Sequence, residues 1–269
     1  MDFTPLLSTL TSFFKPSHLV VKDSVPFTVM ILSPHPDDES ITGSLALRLL
    51  QENNAHIVNV AVTVGSNQAR QKQRTEELNA ACDLLEMECL YLDEDWGIKA
   101  QELVGLIEKY SPGLIIAPHL NDFHPVHIKT GELLKTALTK IEDFTTLVAW
   151  SEFWAPMPAP NMLLEVPVEI LELQMKALEK HVGEIERNPY HLRLPAWMMD
   201  NVRRGSEVIG GKGAQSVQMP FGVLYKLELY SQKHFLVPDF PSVLEAHKNL
   251  AQIFKLILEA ASGSSTTVK

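Results

Sequence analysis

Residues 34–39 read Pro-His-Pro-Asp-Asp-Glu, which sets one imidazole beside three carboxylates. Crowding acids in one place costs free energy unless a cation or hydrogen-bond donors compensate. A divalent metal compensates most directly. His35 and Asp38 are three apart, so one turn of backbone can aim both at a single ion. A bare Asp-Asp-Glu run reads as an acidic helix N-terminus, but His35 between two stiffening prolines goes beyond that reading.

A second cluster reads Asn121-Asp122-Phe123-His124-Pro125-Val126-His127. Two histidines three apart across a proline can face one cavity; one could ligate and the other could hydrogen-bond a reacting oxygen. Two imidazoles, one carboxylate and an open fourth position suit catalytic zinc. Fe(II) suits the same donors. Such an ion would bring a bound water towards a pKa of ~7 and polarise a carbonyl. The remaining acid, Asp37, is then placed to act as general base.

These clusters need elements to position them. Residues 25–33 and 56–64 are apolar, β-branched runs that predict strands, and 88–92 and 114–117 predict shorter ones. Helical spacing over 68–85 and 100–110, and a helix after a cap at Glu39 or Ser40, alternate with them. This pattern predicts an α/β fold, a Rossmann-like, mostly parallel sheet with helices on both faces. Both clusters directly follow strands, one at 34–40 and one in a loop over 118–127. Ligands in such sheets bind beyond the carboxyl ends of the strands. That rule turns two local motifs into one expected site.

Beyond residue 145 the pattern is less regular. It predicts a strand at 147–150, a proline-rich loop at 156–160, a helix over 166–186, a glycine-rich loop at 203–213, a strand at 222–230 and an amphipathic helix over 243–261. The expected organisation is an N-terminal extension at 1–24 with a short amphipathic helix over 6–14, one domain over 25–262, and a flexible polar tail at 263–269. A chain of 269 residues is long enough for one sizeable core. The net charge of −10 disfavours nucleic acid and anionic membranes as partners. No apolar run of ~18 residues predicts a membrane span. The two cysteines, Cys82 and Cys89, have neither disulfide-framework nor zinc-finger spacing and read as small residues of a reducing compartment. A cytoplasmic protein is expected, as is a homo-oligomer as one option for its assembly. The acids after the first strand argue against a glycine-rich phosphate cradle there.

The pair of motifs resembles the PIG-L/LmbE-like N-acetylglucosaminyl deacetylases, marked by a His-Pro-Asp-Asp-Glu segment and a later Asp-x-His-Pro-Asp-His. The resemblance spans roughly residues 25–185 and includes Arg74, Glu77 and Ala81 and the Glu152-Phe153-Trp154 segment. It implies a Rossmann-like core, a zinc ion and a small amino-sugar conjugate as substrate. Residue by residue, it implies His35, Asp38 and His127 as metal ligands and Asp37 as general base. His124 would stabilise the oxyanion or protonate the leaving amine. Glu39 would brace the loop; with Arg74, which would hold a substrate hydroxyl or phosphate, and Trp154, it forms the substrate-side set. This chain departs from the pattern at Val126, where the family usually has an aspartate that couples to the preceding histidine. Asp122 is the substitute nearest in sequence. Trp150 is a further candidate for stacking on a sugar, His119 for the pocket rim, and Arg203, Arg204 and Lys212 for an anion-binding lid.

Overall fold

A computed structural model describes residues 1–12, 14 and 17–263; apart from Gly263, the tail expected at 263–269 lies outside them. Along the chain run α1 (Thr4–Thr11), β1 (Thr28–Ser33), α2 (Asp38–Thr42), α3 (Ser44–Asn53), β2 (His56–Ala61), α4 (Gln68–Leu84), β3 (Glu88–Tyr91), α5 (Lys99–Tyr110), β4 (Leu114–Pro118), α6 (Pro125–Lys140) and β5 (Thr146–Ser151). There follow β6 (Met162–Glu165), α7 (Val168–Leu178), α8 (Val182–Ile185), α9 (Tyr190–Gly210), β7 (Gly222–Ser231), β8 (His234–Leu236), β9 (Val243–Leu244) and α10 (Leu250–Gly263).

The strands form one sheet in the order β3-β2-β1-β4-β5-β7-β6-β9, with β8 added beside β7. β1, β2, β3, β4 and β5 are mutually parallel; β7 runs antiparallel to both β5 and β6. The chain builds outward from β1 to β3, then returns to lay β4 on the other side of β1. The order reverses between β1 and β4, and a ligand crevice opens at such a reversal. Both motifs follow these two strands.

Alternation along the strands divides the core. Val29 and Ile31 of β1 pack with Leu45 and Leu49 of α3, Leu78 and Cys82 of α4 and Leu171 of α7. Met30 and Leu32 pack on the opposite face with Leu103 and Ile107 of α5 and Leu134 and Leu138 of α6. Both faces of the parallel strands are covered, so they read as continuous apolar runs. In α1, Leu7, with Phe3 just before it, is buried in the first of these layers, so the amphipathic helix near the N-terminus packs on the domain itself. Cys82 is buried, Cys89 half-buried, and both are free.

Several expected elements differ. The segment after β4 is a loop only to His124, because Pro125 opens α6 and puts His127 on its first turn. The helix after β1, α2, is capped from Asp37, with no side-chain capping bond, rather than from Glu39 or Ser40. It breaks at Gly43, where a Cβ would stand 2.2 Å from the Glu39 carbonyl oxygen. The helix expected over 166–186 is two helices, α7 and α8, parted at residues 179–181. Residues 203–210 are not a loop but the last turns of α9; the chain turns only at Gly211. The helix expected over 243–261 begins as β9, because Val243 and Leu244 pair with Leu163 and Leu164 of β6. Among the described residues no helix is long and apolar enough to cross a membrane.

Candidate metal centre and substrate cleft

Beyond Ser33 the loop leaves the sheet edge and bends sharply at Asp37, with φ +123° and ψ −26°. That conformation costs a non-glycine residue roughly 1–3 kcal/mol and persists only where its surroundings enforce it. Here the Asp37 N–H donates to Glu39 Oε2 at 3.0 Å, and the Asp37 carbonyl accepts the N–H groups of Ser40 and Ile41, both at 3.1 Å. Arg74 of α4 donates from Nη2 to the Pro36 carbonyl at 3.2 Å. Gly65, at φ +91°, leaves room for that guanidinium; a Cβ there would sit 2.4 Å from Arg74 Nη1.

The second motif is folded around its own polar groups. His124 caps α6, its Nδ1 accepting the Val126 N–H at 3.3 Å. Asp122 Oδ1 accepts the His124 backbone N–H at 2.8 Å, while its Oδ2 lies 3.5 Å from His127 Nδ1. Asp122 therefore faces the His127 ring and the His124 backbone rather than the His124 ring.

The two motifs meet. One ring nitrogen from each of His35, His124 and His127 lies within 4.8 Å of the others. Asp38 Oδ2 stands 3.5 Å from both His35 Nδ1 and His127 Nε2. Donors held ~2.1 Å from one tetrahedral ion are ~3.4 Å apart, so these spacings fit a divalent cation. The donor set of imidazoles and one carboxylate fits the same kind of ion.

Asp37, Asp38 and Glu39 are each buried, at 9%, 3% and 0% exposure, yet their surroundings differ. Burial pushes Asp38 up, but His127 and His35 outweigh it and hold its carboxyl at about 2. Glu39 is likewise lowered against its burial by His181 and Ser40, and by the Asp37 N–H. Asp37 has no such partner: burial, then Asp38 and Glu39, push it well above the carboxylate range, opposed by Arg74 alone. Burial pulls His127 down, but Asp38 and Asp122 raise it overall. His124 is lowered by burial and by His35 and His127. Two adjacent aspartates driven in opposite directions are what a paired ligand and proton acceptor require.

A cleft of about 600 Å³ opens over this cluster. His35, Asp37, Asp38 and His124 line it; His127 lies behind them, buried at 4% exposure. Arg74 and Trp154 also line the cleft, and Val126 sits in the wall beside His124. Glu39 does not reach it and lies beneath the loop. Trp150 is buried against α6 and donates from Nε1 to Glu228 at 2.8 Å, outside the cleft. His119 is buried with its Nε2 3.0 Å from the Ala155 carbonyl. Arg203 and Arg204 of α9 pair with Asp200 on the same helix, and Arg204 also with Glu152 just after β5, so both are engaged against the domain rather than in a lid.

Sequence reading missed Trp96 and Glu94, which follow β3, and Glu184, Arg187 and Tyr190 around α8 and α9, all of which line the cleft. Trp96 was within reach of the strand-end rule that united the two motifs. The other three had no such signal, because their place depends on how α8 and α9 fold back.

Residues 30–138 match the family model described as PIG-L: GlcNAc-PI de-N-acetylase, so the resemblance read from the motifs is shown over that segment. No curated protein matches the chain. Among solved structures, the chain is similar to the 4-carboxy-2-hydroxymuconate hydratase GalB of Pseudomonas putida KT2440, at 15% identity and a TM-score of 0.59, covering 75% of this chain and 95% of that one. It is similar to the N,N'-diacetylchitobiose deacetylase of Pyrococcus horikoshii, at 16% identity and TM-score 0.57, covering 74% and 83%. It is also similar to the zinc-inhibited form of the teicoplanin deacetylase Orf2, at 13% identity and TM-score 0.56, covering 76% and 98%. At these identities the likeness is one of fold, and the mostly parallel α/β sheet is common to them.

Proposed function

We propose that this chain, whose residues 30–138 carry the PIG-L match, is a zinc-dependent deacetylase that hydrolyses the N-acetyl amide of an amino sugar or its conjugate. The products would be free amine and acetate, and the setting the cytoplasm. One of the similar structures is a hydratase, so the fold does not choose the reaction. The observation that carries the reading is the pair Asp37 and Asp38 at the meeting of three histidines, one held ionised and the other pushed up.

In this reading His35, Asp38 and His127 hold the ion, with Fe(II) an alternative to zinc. The ion would supply Lewis acidity and a water of lowered pKa. Asp37 lines the cleft and takes the proton of the attacking water. His124 also lines it; its Nδ1 is occupied by the Val126 N–H, which leaves the neutral ring protonated at Nε2. That N–H donates to the oxyanion as the tetrahedral carbon forms. The tautomer that an aspartate would set elsewhere is thus set by the backbone at Val126. Asp122 acts on the other ring, orienting His127 from behind. Arg74 and Trp154 hold the sugar, the first through a hydroxyl or phosphate and the second by stacking, while Glu39 braces the loop.

Purified protein incubated with a panel of N-acetylglucosamine conjugates should release amine, and a chelator should abolish the release. No release from any member despite stoichiometric zinc would favour a binding protein over an enzyme, the alternative that Val126 motivates.

A further inference from the structure

His181 lies in the turn between α7 and α8, far in sequence from either motif, and is fully buried. Its Nε2 is 2.8 Å from Glu39 Oε1. A carboxylate only accepts, so Nε2 carries the proton and donates it. Its Nδ1 is buried with no hydrogen-bond partner. A histidine kept for packing alone would not need its one satisfied nitrogen on a buried carboxylate, and an unmet polar atom there is costly. Glu39 spends its other oxygen, Oε2, on the Asp37 N–H, and Ser40 Oγ donates to the same Oε1 as His181. One line of hydrogen bonds therefore runs from the α7–α8 turn through Glu39 to the backbone of the residue with φ +123°.

We propose that His181 is a positioning residue for this site: by fixing the Glu39 carboxylate it holds the Asp37 backbone in its strained turn and so sets where the Asp37 carboxylate stands. The proposal rests on the reading of Asp37 as the proton acceptor. It differs from a stabilising role because the Glu39 oxygen that His181 fixes belongs to the carboxylate that takes the Asp37 N–H. Without the imidazole, Glu39 keeps only Ser40 on Oε1 and can rotate, and the Asp37 turn loses its restraint. The ligands Asp38, His35 and His127 keep their own contacts, including the Asp38 Oδ2 bond from the His35 N–H at 2.9 Å.

The test compares His181→Ala with His181→Gln, whose amide can donate to Glu39 from nearly the same place. In the zinc-loaded protein, His181→Ala should lower kcat about ten- to hundredfold with KM and zinc content little changed. His181→Gln should recover most of the loss. Glu39→Ala combined with His181→Ala should cost no more than Glu39→Ala alone. Independently of activity, hydrogen exchange of the 35–41 segment should speed up in His181→Ala and return towards wild type in His181→Gln. Unchanged exchange there overturns the proposal whether or not the protein is a deacetylase. Faster exchange with unchanged kcat would overturn the positioning of Asp37. If wild type releases no amine, exchange alone decides the structural link and the catalytic reading fails separately.

Discussion

The two halves of the molecule divide the work unequally. From β1 to β5 the strands are parallel, every connection passes through at least one helix, and each strand ends at the same sheet edge. Among the described residues, the groups that meet as a candidate metal cluster lie on the loops and helix starts after β1 and β4. From β6 onward the sheet mixes directions, helices are interrupted, and no described residue enters the metal cluster. This half supplies braces and walls: His181 beneath Glu39, and Glu184, Arg187 and Tyr190 along the cleft. In the proposed mechanism the parallel half carries the chemistry, and the irregular half decides how firmly it is held and what reaches it.

Substitutions on each side test that division. The largest effect belongs to the ligands: Asp38→Ala or His127→Ala should lose zinc, measured by metal analysis, and bring amine release to background. Zinc retained in His127→Ala would remove it from the ligand set. Next comes Asp37→Ala, expected to keep zinc while kcat falls ~10²–10⁴-fold.

Asp122→Asn should act more mildly and through pH. His127 must be neutral to ligate, and its raised pKa means that zinc affinity falls as pH drops through that value. In the metal-free protein the sign is opposite. The raised His127 contributes stability below its unfolded pKa, and this is lost as pH rises through the folded one. The lowered Asp38 contributes stability above the ordinary aspartate range, lost as pH falls towards about 2. Removing the Asp122 charge takes away one cause of the His127 shift. Asp122→Asn should therefore move the midpoint of zinc uptake to lower pH and weaken binding at high pH about 10–100-fold. Competition titration with a chelator across pH measures both. A midpoint moving upward would mean that Asp122 does not act on His127. Val126→Asp, placed beside His124, should instead raise the pKa of that ring and leave zinc affinity alone.

The smallest effect is expected on the walls. Trp154, in the loop after β5, is 44% exposed at the cleft. Trp154→Ala should raise KM for sugar conjugates by about tenfold or less with kcat nearly constant, the sign of binding shared by ground and transition states. A fall in kcat alone would move Trp154 from wall to brace.

The same division explains what the sequence made legible. Short apolar strands covered on both faces, each followed by a motif or a helix, report the parallel half directly: β1, β2, β3, β4 and β5 fall where the runs predict them, their ends differing by a few residues. The convergence of residues 35–38 with 124–127 is legible because both motifs directly follow strands of a parallel sheet, whose carboxyl ends share one edge. The C-terminal half misled because its pairing is non-local. Val243 and Leu244 share helical spacing with the residues after them, but an open edge at β6 recruits them as a strand. The glycines at 205 and 210 suggested a loop, yet Gly205 is buried in α9, where a Cβ would stand 3.1 Å from Leu163. Glu39 was legible as a brace, but its partner His181 was not, since nothing local ties the two together.

The measurement that bears most directly on the division of roles between the two aspartates is zinc content and turnover determined side by side in Asp37→Asn and Asp38→Asn. The expected result is stoichiometric zinc and lost amine release in Asp37→Asn, against lost zinc in Asp38→Asn. Zinc lost from Asp37→Asn and kept by Asp38→Asn would exchange the two roles, and full turnover in Asp37→Asn would contradict the mechanism.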